Sequence, residues 1–232
     1  MKLEEWARCP IPVQSGGFPY QTPRECGQRL VDITGEDRIY YSAEYASMGL
    51  SGALKRCYVR EEVAGMLQKV LKLLPDTYSL WVYDTLRPVE VQKSLYELYY
   101  RQLAQEHPGA SQEELSRLID DFVAYPRIDY RAPAPHTTGG AVDLTLSIEG
   151  RPLSMGSGFD DLTDKAHTRY YEECPHLTSE EKKFRENRRI LYYAMQEAGF
   201  VNYRNEWWHY AYGDRAWGRA TGKTPVYSYI EP

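Results

Sequence analysis

The chain has 232 residues, 26% of them charged and 42% hydrophobic, with a formal net charge of −5. That length can bury a substantial core within one domain, spanning residues 1–232, and the acidic balance excludes a general phosphate-backbone binder, so no nucleic-acid partner is expected. No stretch supplies the ~20 apolar residues of a membrane-spanning helix.

In chain order, the first residues, Met-Lys-Leu-Glu-Glu-Trp-Ala-Arg, carry acids and lack the apolar run of a secretory signal. A soluble, cytoplasmic protein is therefore expected. Residues 1–27 are rich in Pro and Gly and read as an irregular arm, and residues 30–33 as a short strand. Residues 60–74 repeat Val63, Met66, Leu67, Val70, Leu71 and Leu74 at helical spacing, with Pro75 just beyond. Residues 78–83 alternate around Leu80 and Val82 as a strand does. After the turn Asp84-Thr-Leu-Arg-Pro88, a second helix shows Val91, Leu95, Leu98 and Gln102 on one face and ends near His107. Ser111 and Glu114 form the capping-box pattern of a third helix reaching about Val123. Prolines 126, 133 and 135 make the next segment a loop, and residues 141–148 alternate as a strand carrying Asp143. Residues 150–178 lack periodicity and read as a long surface excursion. A fourth helix is capped at Thr178 or Ser179 and stops at Gly199; strands are expected over 200–203 and 207–212. Interleaved helices and short, hairpin-spaced strands indicate an α+β fold, with a central antiparallel sheet flanked by helices. The four cysteines, Cys9, Cys26, Cys57 and Cys174, are scattered without Cys-x-x-Cys spacing and read as free thiols.

Two segments carry the chemistry: residues 134–143, Ala-Pro-His-Thr-Thr-Gly-Gly-Ala-Val-Asp, and residues 206–209, Glu-Trp-Trp-His. A catalytic zinc site uses three His or carboxylate ligands and keeps a fourth position open. His136, Asp143 and His209 are that set, and Glu206 is a spare carboxylate able to take a proton from attacking water. Gly139 and Gly140 permit the reversal that brings His136 back to Asp143. Asp143 stands in an otherwise apolar strand, where a carboxylate is costly unless paired or metal-bound. Taken alone, each segment reads equally well as a surface His beside a strand Asp, or as an aromatic sheet edge with incidental polar residues. Arg87, in the turn after a strand, is placed to meet an oxyanion, or else it is a solvated helix start. Asp160, in the long excursion, either binds a cationic substrate end or caps a turn. His107, His167 and His176 fall outside the pattern and are assigned to the surface.

These residues resemble the zinc D-alanyl-D-alanine dipeptidases, including the vancomycin-resistance type, in the superfamily of D,D-carboxypeptidases and hedgehog-like zinc domains. The resemblance rests on His-x-x-Gly-x-Ala-x-Asp at 136–143, Glu-x-Trp-His at 206–209, Asp84 to Pro88, Met-Gly-Ser-Gly-Phe-Asp at 155–160 and Asn-Arg-Arg at 187–189, all in family order. It implies one zinc ion held by His136, Asp143 and His209, Glu206 as general base, Arg87 on the tetrahedral intermediate and Asp160 on the substrate ammonium. The small peptide D-Ala-D-Ala is the implied substrate. Two positions depart from the pattern: Ala134 replaces a usual Ser, and the segment Gly49-Leu-Ser-Gly52 replaces Asn-Phe-x-Gly. They leave open a D,D-carboxypeptidase or L-Ala-D-Glu-type peptidase acting on longer muropeptides. A non-catalytic, zinc-stabilised binding module is the third reading. Oligomeric state is not indicated by the sequence.

Overall fold

The computed structural model describes residues 2–14, 16–120 and 123–231. Eight helices and eight strands follow in order: α1 (Lys2–Arg8), β1 (Leu30–Asp32), β2 (Ile39–Tyr41), α2 (Glu44–Ser47), β3 (Tyr58–Arg60), α3 (Glu61–Leu73), β4 (Tyr78–Asp84), α4 (Val89–Glu106), α5 (Gln112–Asp120), β5 (Ala141–Ile148), β6 (Arg151–Pro152), α6 (Tyr170–Glu173), α7 (Ser179–Ala198), β7 (Val201–Asn202), β8 (His209–Ala211) and α8 (Arg215–Thr221). Short 3-10 turns add Pro135–Thr138 and Asp164–Ala166.

The main sheet runs β2-β4-β5-β8-β7, with β6 paired to the far end of β5. Its pairings are antiparallel except that β2 lies parallel to β4. The expected central antiparallel sheet is present, and the parallel pair lies at its edge: the chain reaches β4 from β2 through α2, β3 and α3, a crossover long enough for parallel pairing. A separate ribbon pairs β1 with β3.

β5 is flanked on both sides and buried along nearly its whole length, so both its faces need partners. Alternation sends Val142, Leu144 and Leu146 into the main core with Val63, Leu67 and Val70 of α3 and Leu191, Ala194 and Met195 of α7. Asp143, Thr145 and Ser147 consequently point to the opposite face. A second apolar cluster joins Val91, Leu95, Tyr99 and Leu103 of α4 with Leu115 and Ile119 of α5, Val123 and Tyr45. Phe159 packs against both clusters. The site lies where the two clusters meet.

The expected capping box of Ser111 with Glu114 is present, and of the two expected caps for α7 it is Thr178 that serves, in a capping box with Glu181. Three expectations are corrected. The arm begins with helix α1, whose Trp6 is buried in the main core. Residues 150–178 are no mere surface excursion, since Met155, Ala166, Thr168 and Tyr171 are buried and α6 lies within it. The buried face of α4 is Val91, Gln92, Leu95, Tyr99 and Leu103, while Leu98 is half-buried and Gln102 exposed. Elements β2, β3 and α8 were not foreseen; the strands have three residues each, too few to show periodicity. The four cysteines are free thiols. Among the described residues no helix is long and apolar enough to cross a membrane.

Candidate active site

The site begins as a row across three neighbouring strands. Asp84 of β4 lies opposite Asp143 of β5, and Asp143 opposite His209 of β8. A register shift between Val82 and Asp84 makes the first pairing possible, because the extra residue re-aims the strand end. His136 joins from the 3-10 turn just before β5. Gly139 ends that turn at φ 71°, a conformation glycine adopts without steric cost. A Cβ on Gly140 would lie 2.5 Å from the Tyr212 carbonyl, so the return into β5 requires glycine there as well.

His136 Nδ1 donates to the Thr85 carbonyl at 2.7 Å, which fixes the tautomer and leaves Nε2 as an acceptor. That Nε2 lies 3.1 Å from His209 Nδ1 and 3.2 Å from Asp143 Oδ2, while His209 Nδ1 lies 2.9 Å from Asp143 Oδ1. Burial works against the charge of Asp143, but the two imidazoles outweigh it and hold its carboxyl well below the usual carboxylate range. Three buried acceptor-bearing side chains thus converge, with donor atoms all within 4.8 Å of one another. Tetrahedral zinc with bonds of about 2.0–2.2 Å separates its ligand atoms by roughly 3.4 Å. The observed spacings fit that ion, and a cation satisfies two imidazole nitrogens that otherwise face each other across a short gap. Asp84 Oδ2, 3.3 Å from His136 Nδ1, supplies the outer carboxylate that commonly orients a metal-binding His.

Glu206 sits in the β7–β8 turn, with Oε2 3.7 Å from His209 Nδ1. The turn is held from inside by Asn202, which donates to the carbonyls of Glu206 and His209, and by Thr168, which donates to Asn202 Oδ1 at 2.7 Å. Burial, then the charges of Asp143 and Asp160, push the Glu206 carboxyl well above its ordinary value, which favours a group that takes and returns a proton. Trp207 and Trp208 are both buried, and the Trp208 ring meets Phe159 edge-on.

Arg87 is buried and almost fully engaged. Nε donates to Asp84 Oδ2 at 2.7 Å, Nη1 to Gln92 Oε1 at 2.9 Å and Nη2 to the Tyr45 hydroxyl at 3.1 Å. Nη2 also lies 3.6 Å from Asp143 Oδ2. Burial opposes its charge, yet Tyr45 and the carboxylates of Asp84, Asp143 and Asp160 raise its pKa well above the ordinary value. It is therefore a fixed cation beside the row of Asp84, Asp143 and His209, not a solvated helix start. Asp160 stands at φ 57° and accepts from Tyr45 at 2.9 Å, with the Tyr99 hydroxyl nearby. Burial pushes its carboxyl up to about 6, with Asp143 adding and Arg87 and the two hydroxyls opposing. The loop bearing Asp160 is clamped by Arg188, which donates to the carbonyls of Met155, Lys165 and His167.

All six residues singled out from the sequence, His136, Asp143, His209, Glu206, Arg87 and Asp160, come together here. His107 and His176 are exposed, and His167 is half-buried. Sequence reasoning missed Asp84, Tyr45, Gln92, Tyr99 and Asn202. Asp84 left a signal, a carboxylate ending an apolar strand three residues before Arg87; two of twenty-one tyrosines left none.

The sequence pattern of the D-ala-D-ala dipeptidase family matches residues 41–227. A D-alanyl-D-alanine dipeptidase of Synechocystis sp. is 28% identical over 211 residues, 84% of this chain and 85% of that protein. One of Escherichia coli is 28% identical over 157 residues, 67% of this chain and 66% of that protein. Among solved structures, a vancomycin-resistance D,D-pentapeptidase in complex with Zn(II) is similar at 17% identity and TM-score 0.44, over 89% of this chain and 88% of that one. With the family pattern running through most of its length, the chain belongs to the D-Ala-D-Ala dipeptidase family.

Proposed function

We propose that this chain is a zinc-dependent dipeptidase that hydrolyses D-Ala-D-Ala to two molecules of D-Ala. The observation that carries the reading is the buried convergence of His136, Asp143 and His209, with a fourth carboxylate, Glu206, close by but outside the set. His136, Asp143 and His209 hold one zinc ion. When bound, zinc polarises the scissile carbonyl and lowers the pKa of water toward ~7.

The chain's own residues do the rest. Glu206 takes a proton from the attacking water and returns it to the leaving amine as the C–N bond breaks. Arg87, already anchored by Asp84 and Gln92, directs its remaining N–H groups to the oxyanion of the tetrahedral intermediate. Asp160 holds the substrate ammonium. Trp208 and Phe159 keep bulk water from the proton path.

The whole chain is read as one peptidase domain. Arg189 of α7 donates to the carbonyls of Ala7 and Arg8, tying the N-terminal arm to the body. The reading places the enzyme in the cytoplasm, in peptidoglycan precursor metabolism. A peptidase for longer muropeptides is the second reading, favoured by Ala134, which lacks the hydroxyl of the usual serine near the first metal ligand.

The test is release of free D-Ala from D-Ala-D-Ala by the zinc-loaded protein, run beside a pentapeptide ending in D-Ala-D-Ala. Cleavage confined to the dipeptide is expected. Cleavage confined to the pentapeptide favours the second reading, and cleavage of neither overturns the peptidase assignment.

A further inference from the structure

Helix α4 carries polar groups where its neighbours require apolar ones. Its buried face runs Val91, Gln92, Leu95, Tyr99 and Leu103 and packs into the second core with α5. A glutamine at 2% exposure in that face is costly unless both ends of its amide are satisfied. Both are: Oε1 accepts from Arg87 Nη1 at 2.9 Å, and Nε2 donates to the Ala124 carbonyl at 2.7 Å. Seven residues on, Tyr99 is 8% exposed, with its hydroxyl beside Asp160. Seven residues are two turns of helix, about 10 Å along one face. One rigid element therefore holds a hydrogen bond to Arg87 and a hydroxyl beside Asp160, two differently charged groups. Between those groups stands the Tyr45 hydroxyl, which accepts from Arg87 and donates to Asp160.

We propose that Gln92 and Tyr99 are positioning residues: Gln92 fixes the rotation of the Arg87 guanidinium, Tyr99 fixes the Asp160 carboxylate, and α4 thereby sets the spacing between the oxyanion and ammonium ends of the site. The proposal rests on the roles given above to Arg87 and Asp160. It separates the kinetic consequences. Arg87 acts as charge develops, so loosening it lowers kcat; Asp160 acts on bound substrate, so loosening it raises KM.

The test uses the full-length, zinc-loaded protein with D-Ala-D-Ala. Gln92→Leu is expected to lower kcat about tenfold or more with little change in KM, the worth of one hydrogen bond to a buried charge. Gln92→Glu keeps the acceptor for Arg87 and is expected to recover most of that loss. Tyr99→Phe is expected to raise KM about tenfold with kcat nearly constant. Double-mutant cycles then distinguish positioning from general support: Gln92→Leu should cost nothing further beside Arg87→Lys, and Tyr99→Phe nothing further beside Asp160→Asn. Additive losses, or kcat and KM moving together with the melting temperature, would overturn the proposal. A direct readout covers the case in which the wild type ignores D-Ala-D-Ala and the functional reading fails. Hydrogen exchange at the Arg87 Nη1 protons, assigned by their loss in Arg87→Lys, should be slow in the wild type and faster in Gln92→Leu. Equal rates would sink the proposal whatever the substrate.

Discussion

The two halves of the site are built in different ways. The half proposed to bind the metal hangs on strand register: Asp84, Asp143 and His209 are level across β4, β5 and β8, with His136 one turn away along the same chain. The half proposed to bind substrate hangs on side chains that reach between elements. Arg87 depends on Gln92 and Tyr45, and Asp160 on Tyr45 and Tyr99. Backbone ladders set the level of the first half, and the Asp84, Asn202 and Thr168 side chains trim it. Single hydroxyls and amides hold the second. On the proposed roles, chemistry belongs to the sheet and selectivity to α4 and the 155–168 loop, and the second half is the one expected to be retuned by substitution.

The largest expected effects lie in the first half. His209→Ala should lose the metal and all turnover, read as zinc per chain after dialysis; full zinc occupancy in that variant would remove His209 from the ligand set. Arg87→Lys stands at the border of the two halves. It keeps a charge but loses the fork shared among Asp84, Gln92 and Tyr45, and should lower kcat by about 10²–10³-fold with zinc retained. A loss below threefold would deny it the oxyanion.

The second half should answer to pH. Burial pushes Asp160 up to about 6, so its carboxylate is charged above that pH and neutral below it. The kcat/KM of the wild type should accordingly fall as pH drops through about 6, chiefly through KM, and Asp160→Asn should flatten that limb while lying low throughout. A limb that survives in Asp160→Asn belongs to another group. Ala134→Ser is expected to act more mildly, lowering KM for the dipeptide by less than about tenfold and leaving zinc content alone. The smallest effect should be no effect at all. Cys57, buried behind the row and pushed up to about 12 by burial, should resist alkylation under native conditions while the exposed Cys9 and Cys26 react. Rapid labelling of Cys57 would mean that the sheet side opens more readily than its packing implies.

The same contrast explains what was legible in the sequence. His136, Asp143, Glu206 and His209 stand in two short segments whose residue types and spacing already state a ligand set. The long helices α3, α4 and α7 announce themselves by periodicity and caps, and β5 by its alternation. Three-residue strands have no period to read: β1 and β8 showed only as short apolar or aromatic runs, while β2 and β3, and with them the parallel β2–β4 pairing, stayed hidden. Gln92 and Tyr99 were hidden for a subtler reason. A face drawn through Val91, Leu95, Leu98 and Gln102 is about as apolar as the real one, and only packing against α5 decides which side turns inward. Partnerships such as Tyr45 with Asp160, or Asn202 with the Glu206 turn, join residues far apart in sequence and leave no local mark.

The central claim is that Glu206 works beside the metal-binding set without belonging to it. It is tested most directly by measuring bound zinc and D-Ala release on the same preparation of Glu206→Ala. The account predicts one zinc per chain, as in the wild type, with turnover of D-Ala-D-Ala reduced by about 10²–10⁴-fold or more. Loss of zinc together with activity would make Glu206 a ligand, and zinc retained with near wild-type turnover would remove it from the reaction.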